Sequence, residues 1–166
     1  MQLVQTTRDA LLKPLSTVAG IVERRNTLPI LANILLRKEG NNVAFIATDL
    51  EVQITTHAEF GVGDSNESTT VAARKLLDIL RALPESGDVT LGLASSKLSV
   101  QSGKSRFALQ TLGAAEFPTL SQPEKWDVSL SLSQKTLKHL FNMVHFAMAQ
   151  QDIRYYLNGL LFVFEP

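Results

Sequence analysis

Asp49 and Glu51 lie two residues apart, so on a strand their carboxylates would share a face and could hold a divalent metal. Charges on the solvent face of a strand are the commoner reason for such a pair. His57, His139 and His145 show no HExxH pattern and no i, i+4 partner, and His139 and His145 are six apart, poor helical geometry for a shared ligand. The chain has no cysteine, which removes thiolate metal sites, cysteine nucleophiles and a disulfide scaffold. There is no G-x-S-x-G and no P-loop, and Gly61-Val62-Gly63 lacks the third glycine of a dinucleotide fingerprint. No catalytic constellation emerges, and neither a metal nor a cofactor is expected. A metal-dependent hydrolase built on Asp49 and Glu51 stands as an alternative.

The basic residues have a pattern of their own. Segments 8–22, 73–83 and 133–149, which read as helices, hold Arg8, Lys13, Arg74, Lys75, Arg81, Lys135 and Lys138 against only Asp9 and Asp78. The remainder holds nine bases and fourteen acids, so a chain with 16 basic and 16 acidic residues separates into basic helices and acidic strands and loops. Solvated helix faces favour Lys and Arg anyway. The sharper reading is a row of helices facing a polyanion, because phosphate contacts need mobile cations rather than base-reading geometry. A plain protein-interaction domain with solvated basic helices is the other alternative.

These residues need elements to carry them. Residues 1–6 read as a strand, and Thr6-x-x-Asp9 as a capping box for a helix whose apolar stripe is Leu11, Leu12, Leu15, Val18, Ala19 and Val22. Pro14 should kink or delay that helix. ILANILLR, VAFIAT and LEVQITTHAEF read as strands, with a hairpin turn at GNN (40–42) and a loop over 61–69. A short strand then precedes a helix over 73–83, stopped by Pro84, and three strands follow through KSRFALQTL. Residues 113–125 carry two prolines and no periodicity, the best linker candidate. WDVSLSLS reads as a strand, Ser131-x-x-Gln134 as a cap for a third helix marked by Leu137, Leu140, Phe141, Val144 and Met148, and LNGLLFVFE as a last strand.

The order strand, helix, loop, strand occurs twice. An offset of 125 residues lays Leu12 on Leu137, Lys13 on Lys138, Leu15 on Leu140, Asn33 on Asn158, Leu35 on Leu160 and Leu36 on Leu161. Repeats this long mean duplicated domains. The domains expected are 1–120, a linker over 121–126, and 127–166 as the opening of a second, unfinished copy; the chain then reads as a fragment of a longer protein. A coarser echo, helix plus strands twice over, splits the first domain into similar halves. The fold class expected is α+β. With 45% apolar residues among 166, no apolar run long enough to span a membrane and no signal-peptide pattern, a soluble cytoplasmic protein is expected.

The segments TLPILAN (27–33), ATDLE (47–51), VAARK (71–75), SGKSRFALQTL (102–112), AAEFP (114–118) and QDIRYYLNGLLF (151–162) together resemble the bacterial DNA polymerase III beta subunit family, the sliding clamps, in order and along the whole chain. The resemblance implies a clamp fold with helices packed on antiparallel sheets and three similar domains per protomer, of which this chain covers the first and the opening of the second. It implies, for the full-length protein, a homodimeric head-to-tail ring around duplex or primed DNA, and no native ring is expected from this chain alone. Partners implied are the polymerase III catalytic subunit, a clamp loader and other replication and repair proteins. The clamp would be a non-catalytic processivity factor, the DNA-directed DNA polymerase (nucleotidyltransferase) activity belonging to the holoenzyme.

Carried over by motif, the resemblance implies DNA contacts at Arg25, Arg74, Gln151, Tyr155 and Tyr156. It places Arg154 and Leu157 beside a pocket for a short hydrophobic partner peptide. It assigns Lys75, Lys104, Arg106, Phe107 and Leu109 to the ring interface, with Phe107 and Leu109 as apolar anchors. Arginine pairing with phosphate and tyrosine stacking on bases agree in kind. Strand alternation from Tyr155 leaves open that one of the two tyrosines is core. With the rest of the second domain missing, the exposed sheet edge and the LLFVF run predict self-association.

Overall fold

The computed structural model describes residues 1–22, 28–85, 87–121 and 128–163. The chain divides into two units, Met1–Ser121 and Gln122–Pro166. The first is an α+β unit of eight strands and two helices in the order β1 (Gln2–Thr7), α1 (Arg8–Ala19), β2 (Asn33–Glu39), β3 (Asn42–Thr48), β4 (Gln53–Glu59), β5 (Glu67–Ala72), α2 (Ala73–Ala82), β6 (Asp88–Ala94), β7 (Lys97–Ser102) and β8 (Ser105–Leu112).

The sheet order β1-β6-β7-β8-β5-β2-β3-β4, with every pair antiparallel, makes the two halves visible. Each half is strand, helix and three strands, and each lends its first strand to the other: β1 pairs with β6, and β5 with β2. The two four-stranded halves meet at short seams. At one, β5 meets β8 only through Thr70–Leu112 and Val71–Thr111. There the buried Thr70 hydroxyl receives Leu112 N–H and Asn33 Nδ2 and donates to Leu112 O, so side-chain bonds continue where the ladder stops. At the other, Val4 bridges Gly61, and Val62 N–H reaches Leu3 O at 3.0 Å. Gly61 is needed there, since a Cβ would stand 2.7 Å from Gly40 O.

Both helices pack on the sheet. Leu11, Leu15 and Val18 of α1 and Leu76, Leu77 and Leu80 of α2 join Val4, Phe45, Leu91, Leu98 and Val100 in one core. Thr7, rather than Thr6, caps α1, its hydroxyl accepting Ala10 N–H at 3.4 Å. Position 10 is alanine, so there is no reciprocal capping box. Pro14 does not interrupt the helix: α1 runs through it, and its carbonyl accepts the Thr56 hydroxyl. β2 begins three residues later than ILANILLR suggests, because Pro29–Ala32 form a 3-10 turn. β4 starts at Gln53, leaving Val52 half-exposed outside it, and β5 starts at Glu67, inside the expected loop.

Residues 113–121 are not a free linker. Ala114–Glu116 form a 3-10 turn, Phe117 is buried against Leu35, Ala44 and Ile46 in a second apolar cluster, and Leu120 N–H bonds Gln53 Oε1. The outer face of β2 and β3 thereby holds the segment that leaves the unit.

In the second unit α3 (Gln134–Val144) is capped by Ser133, which accepts Thr136 N–H at 3.1 Å, rather than by Ser131. Short 3-10 turns follow at His145–Ala147 and Tyr155–Asn158. The strand expected at 126–133 does not form over 128–133, and the one expected at 157–165 is absent over 157–163, where Leu157–Asn158 close a 3-10 turn. Residues 126, 127 and 164–166 lie outside the described residues. A strand is stable only when its backbone groups find a partner, and none is present among the described residues of this unit. No described side chain of this unit is buried, and Leu140, Phe141 and Val144 of α3 are substantially exposed. The 125-residue offset nonetheless survives in local structure. It carries the end of α1, Ala19, onto the end of α3, Val144, and Pro29–Ala32 to within one residue of Tyr155–Asn158.

Candidate functional site

Three groups of residues are candidates, each set by a different element. The first lies on α1 and α2. Their exposed bases are Lys13, Arg74, Lys75 and Arg81. Arg8, which the charge count places with them, has another task. Its Nε donates to Leu80 O at 3.0 Å, its NH2 to Arg81 O at 3.4 Å, and its NH1 pairs with Asp9 at 2.7 Å. It thus adds a charged donor at the end of α2, where Leu80 O also accepts the Leu83 N–H at 3.3 Å. Because Arg8 neutralises Asp9, the basic excess of the helices is unchanged. Arg74 mirrors Arg8: near the start of α2, its NH2 donates to Val22 O at 3.0 Å, just past α1. Each half's leading helix thus carries an arginine that holds the end of the other's.

Between the helices lies a cleft of about 690 Å³, lined by Ser16, Gly20, Val22, Arg74, Lys75 and Arg81 among others. Three cations against Asp78 make it electropositive. Its chemistry suits diffuse phosphate contact, with no nucleophile held against a base. Arg25 falls outside the described residues.

The second group lies along β8. Between Ser105 and Gln110 this strand pairs with β7 on one side only. Lys104, Arg106 and Phe107 are exposed there, Phe107 by 37%. Leu109 differs from its expected role: at 9% exposure it belongs to the unit's own core, opposite Leu98, and is not an outward anchor. Lys75 and Leu109 do come together, both lining a hollow of about 360 Å³. Lys75 lines this hollow and the inter-helix cleft alike.

The third group is the loop 149–158. Ala149 N–H bonds Leu157 O at 2.9 Å, Asn158 clasps the backbone of Asp152 on both its N–H and its C=O, and Gln151 has φ +57°. Tyr155 and Tyr156 are 82% and 67% exposed and meet edge to face at 5.9 Å. Neither is core, which answers the alternation argument. Arg154 pairs with Asp152, whose carboxyl its guanidinium, and then its backbone N–H, hold below the usual carboxylate range. Asp152 in turn raises Arg154 above the ordinary guanidinium value. Leu157 lines a small apolar hollow with Val144, Met148, Tyr156 and Leu161.

Asp49 and Glu51 do not share a strand face. They sit in the β3–β4 turn, where Asp49 Oδ1 accepts Glu51 N–H and Val52 N–H at 3.0 and 2.8 Å. This aspartate shapes a turn that holds Leu50 at φ +82°. Among the described residues no three His, Asp or Glu converge as metal ligands. Sequence reasoning missed Arg8, Asp152 and Asn158; position 8 at a helix start and the D-x-R spacing were the available signals. No helix among the described residues is long and apolar enough to cross a membrane.

Comparisons with known proteins agree with this geometry. The family described as DNA polymerase III beta subunit, N-terminal domain, matches residues 1–121. Among curated relatives, a beta sliding clamp from Pseudomonas aeruginosa is 46% identical over 154 residues, covering 93% of this chain and 42% of its own. One from Vibrio cholerae is 47% identical and one from Escherichia coli 43%, with the same coverage. The crystal structure of the DNA polymerase III subunit beta from Pseudomonas aeruginosa superposes with a TM-score of 0.89 at 44% identity, over 96% of this chain and 43% of that one. A Caulobacter crescentus sliding clamp gives 0.87 at 40%. The chain spans less than half the length of these relatives.

Proposed function

Because the chain belongs to the DNA polymerase III beta subunit family, we propose that it is part of a replication processivity factor that encircles DNA and tethers the replicative polymerase to it. The supporting observation is the electropositive cleft of α1 and α2, with Arg74, Lys75 and Arg81 on a chain of zero net formal charge. Weak contacts to many equivalent phosphates hold a protein near the duplex while leaving it free to slide. Arg74 acts here, Arg25 is a further DNA contact that the family resemblance implies, and Gln151, Tyr155 and Tyr156 add contacts from the 149–158 loop. β8, with Phe107 as its apolar anchor and Lys104, Arg106 and Lys75 at its rim, forms the first-domain side of a head-to-tail dimer interface. Arg154 and Leu157 border the site for a hydrophobic partner peptide from the polymerase catalytic subunit, the clamp loader or repair proteins. The protein works in the cytoplasm, without metal or cofactor, and catalyses nothing itself; polymerisation belongs to the holoenzyme it joins.

The residue assignment is tested by the salt dependence of DNA binding in the full-length protein. Arg74→Gln keeps a polar side chain but loses the charge. The slope of log affinity against log salt is expected to fall by roughly 0.9 for each phosphate the protein no longer neutralises, and further in the double variant with Arg25→Ala. An unchanged slope in both variants would mean that these arginines do not touch DNA.

A further inference from the structure

The 149–158 loop contains a side-chain network around Arg154 whose other members, Asp152 and Asn158, have no contact assigned to them. Arg154 presents Nε and NH2 side-on to Asp152, at 3.0 Å to Oδ1 and 3.0 Å to Oδ2. The same Oδ1 accepts Arg154 N–H at 2.8 Å, so one carboxylate fixes both the backbone and the head group of the arginine. Asn158 then holds Asp152 from the far side of the turn, Oδ1 to Asp152 N–H at 3.0 Å and Nδ2 to Asp152 O at 3.1 Å. The Asp152 side chain is 25% exposed while that of Arg154 is 60% exposed. Among the described residues NH1 of Arg154 has no partner, so the head group keeps free donors on an accessible edge.

We propose that Asp152 is the positioning residue for Arg154, holding its guanidinium side-on so that the remaining N–H groups donate to a carbonyl or carboxylate oxygen of the bound partner peptide. The proposal rests on the reading of Arg154 as a partner-binding residue. An arginine on a mobile stem loses rotamer freedom when it binds, whereas one already locked by a bidentate carboxylate does not. Asp152 need not touch the partner; it acts through Arg154.

The test is a double-mutant cycle in the full-length protein, with the purified cognate polymerase III catalytic subunit as the probe in surface plasmon resonance. Asp152→Asn retains the oxygen that accepts Arg154 N–H and removes the ion pair, so the loop keeps its closure. Asp152→Asn is expected to weaken binding about fivefold in the wild-type background and by less than about twofold in an Arg154→Ala background, the non-additivity of residues acting as a unit. Equal losses in both backgrounds would overturn the proposal, because Asp152 would then act by its own contact or through general loosening of the loop. No loss in the wild-type background, with Arg154→Ala still weakening binding, would overturn it too. Absence of any effect from Arg154→Ala would instead sink the partner-binding reading, and the proposal with it.

Discussion

Arg8 shows how a basic residue can be counted correctly and assigned wrongly. In sequence it is one cation among seven on helical segments; in the structure its guanidinium closes the end of α2. Replacing it with alanine removes a charged donor from the part-buried carbonyl of Leu80, which keeps the Leu83 N–H, and from the exposed carbonyl of Arg81, and a hydrogen bond from a charged group contributes about 1.5–3 kcal/mol. Arg8→Ala is expected to lower unfolding stability by roughly 1–3 kcal/mol in urea denaturation. A midpoint equal to that of the wild type would show that the staple carries no weight. Such roles were illegible because a long-range bond between residues 8 and 80 leaves no local spacing to read. Asp49 failed in the opposite direction. Its carboxylate looked like half of a metal pair, but directly after Thr48, where β3 ends, its task is to close a turn.

At the scale of elements, the strands of the first unit were legible wherever an apolar run or an alternating one met a turn signal. The β2–β3 hairpin at Gly40-Asn41, with Gly40 at φ +57°, and the β7–β8 hairpin at Gly103, at φ +53°, are examples. Residues 113–121 were misread for lack of periodicity: one aromatic carries the segment, and a single anchor has no period. Phe117 fills the apolar cluster of Leu35, Ala44 and Ile46. Phe117→Ala is expected to cost about 3–5 kcal/mol, the range for removing a buried aromatic. Less than about 1 kcal/mol would mean that this segment is a passive tail. The strands expected in the second unit failed for the converse reason, since alternation specifies a face but cannot supply a neighbouring strand.

At the scale of the molecule, two symmetries are legible in the residues alone. The repeat offset of 125 residues relates α1 to α3, and the echo within the first unit corresponds to two halves that exchange their first strands. The exchange itself, and the Arg8 and Arg74 braces that accompany it, are properties of the folded chain that no residue pattern announces. The charge separation was legible because it is a property of whole helices, and it supports the proposal that this chain, of zero net formal charge, is part of a protein that holds DNA by enclosing it rather than by gripping it. The most direct measurement loads the full-length protein onto nicked circular DNA with its clamp loader and ATP, and scores retention before and after the circle is linearised. Retention on circles with loss from linear DNA is the predicted result. Equal retention on both would mean ordinary binding, and the protein would not encircle DNA.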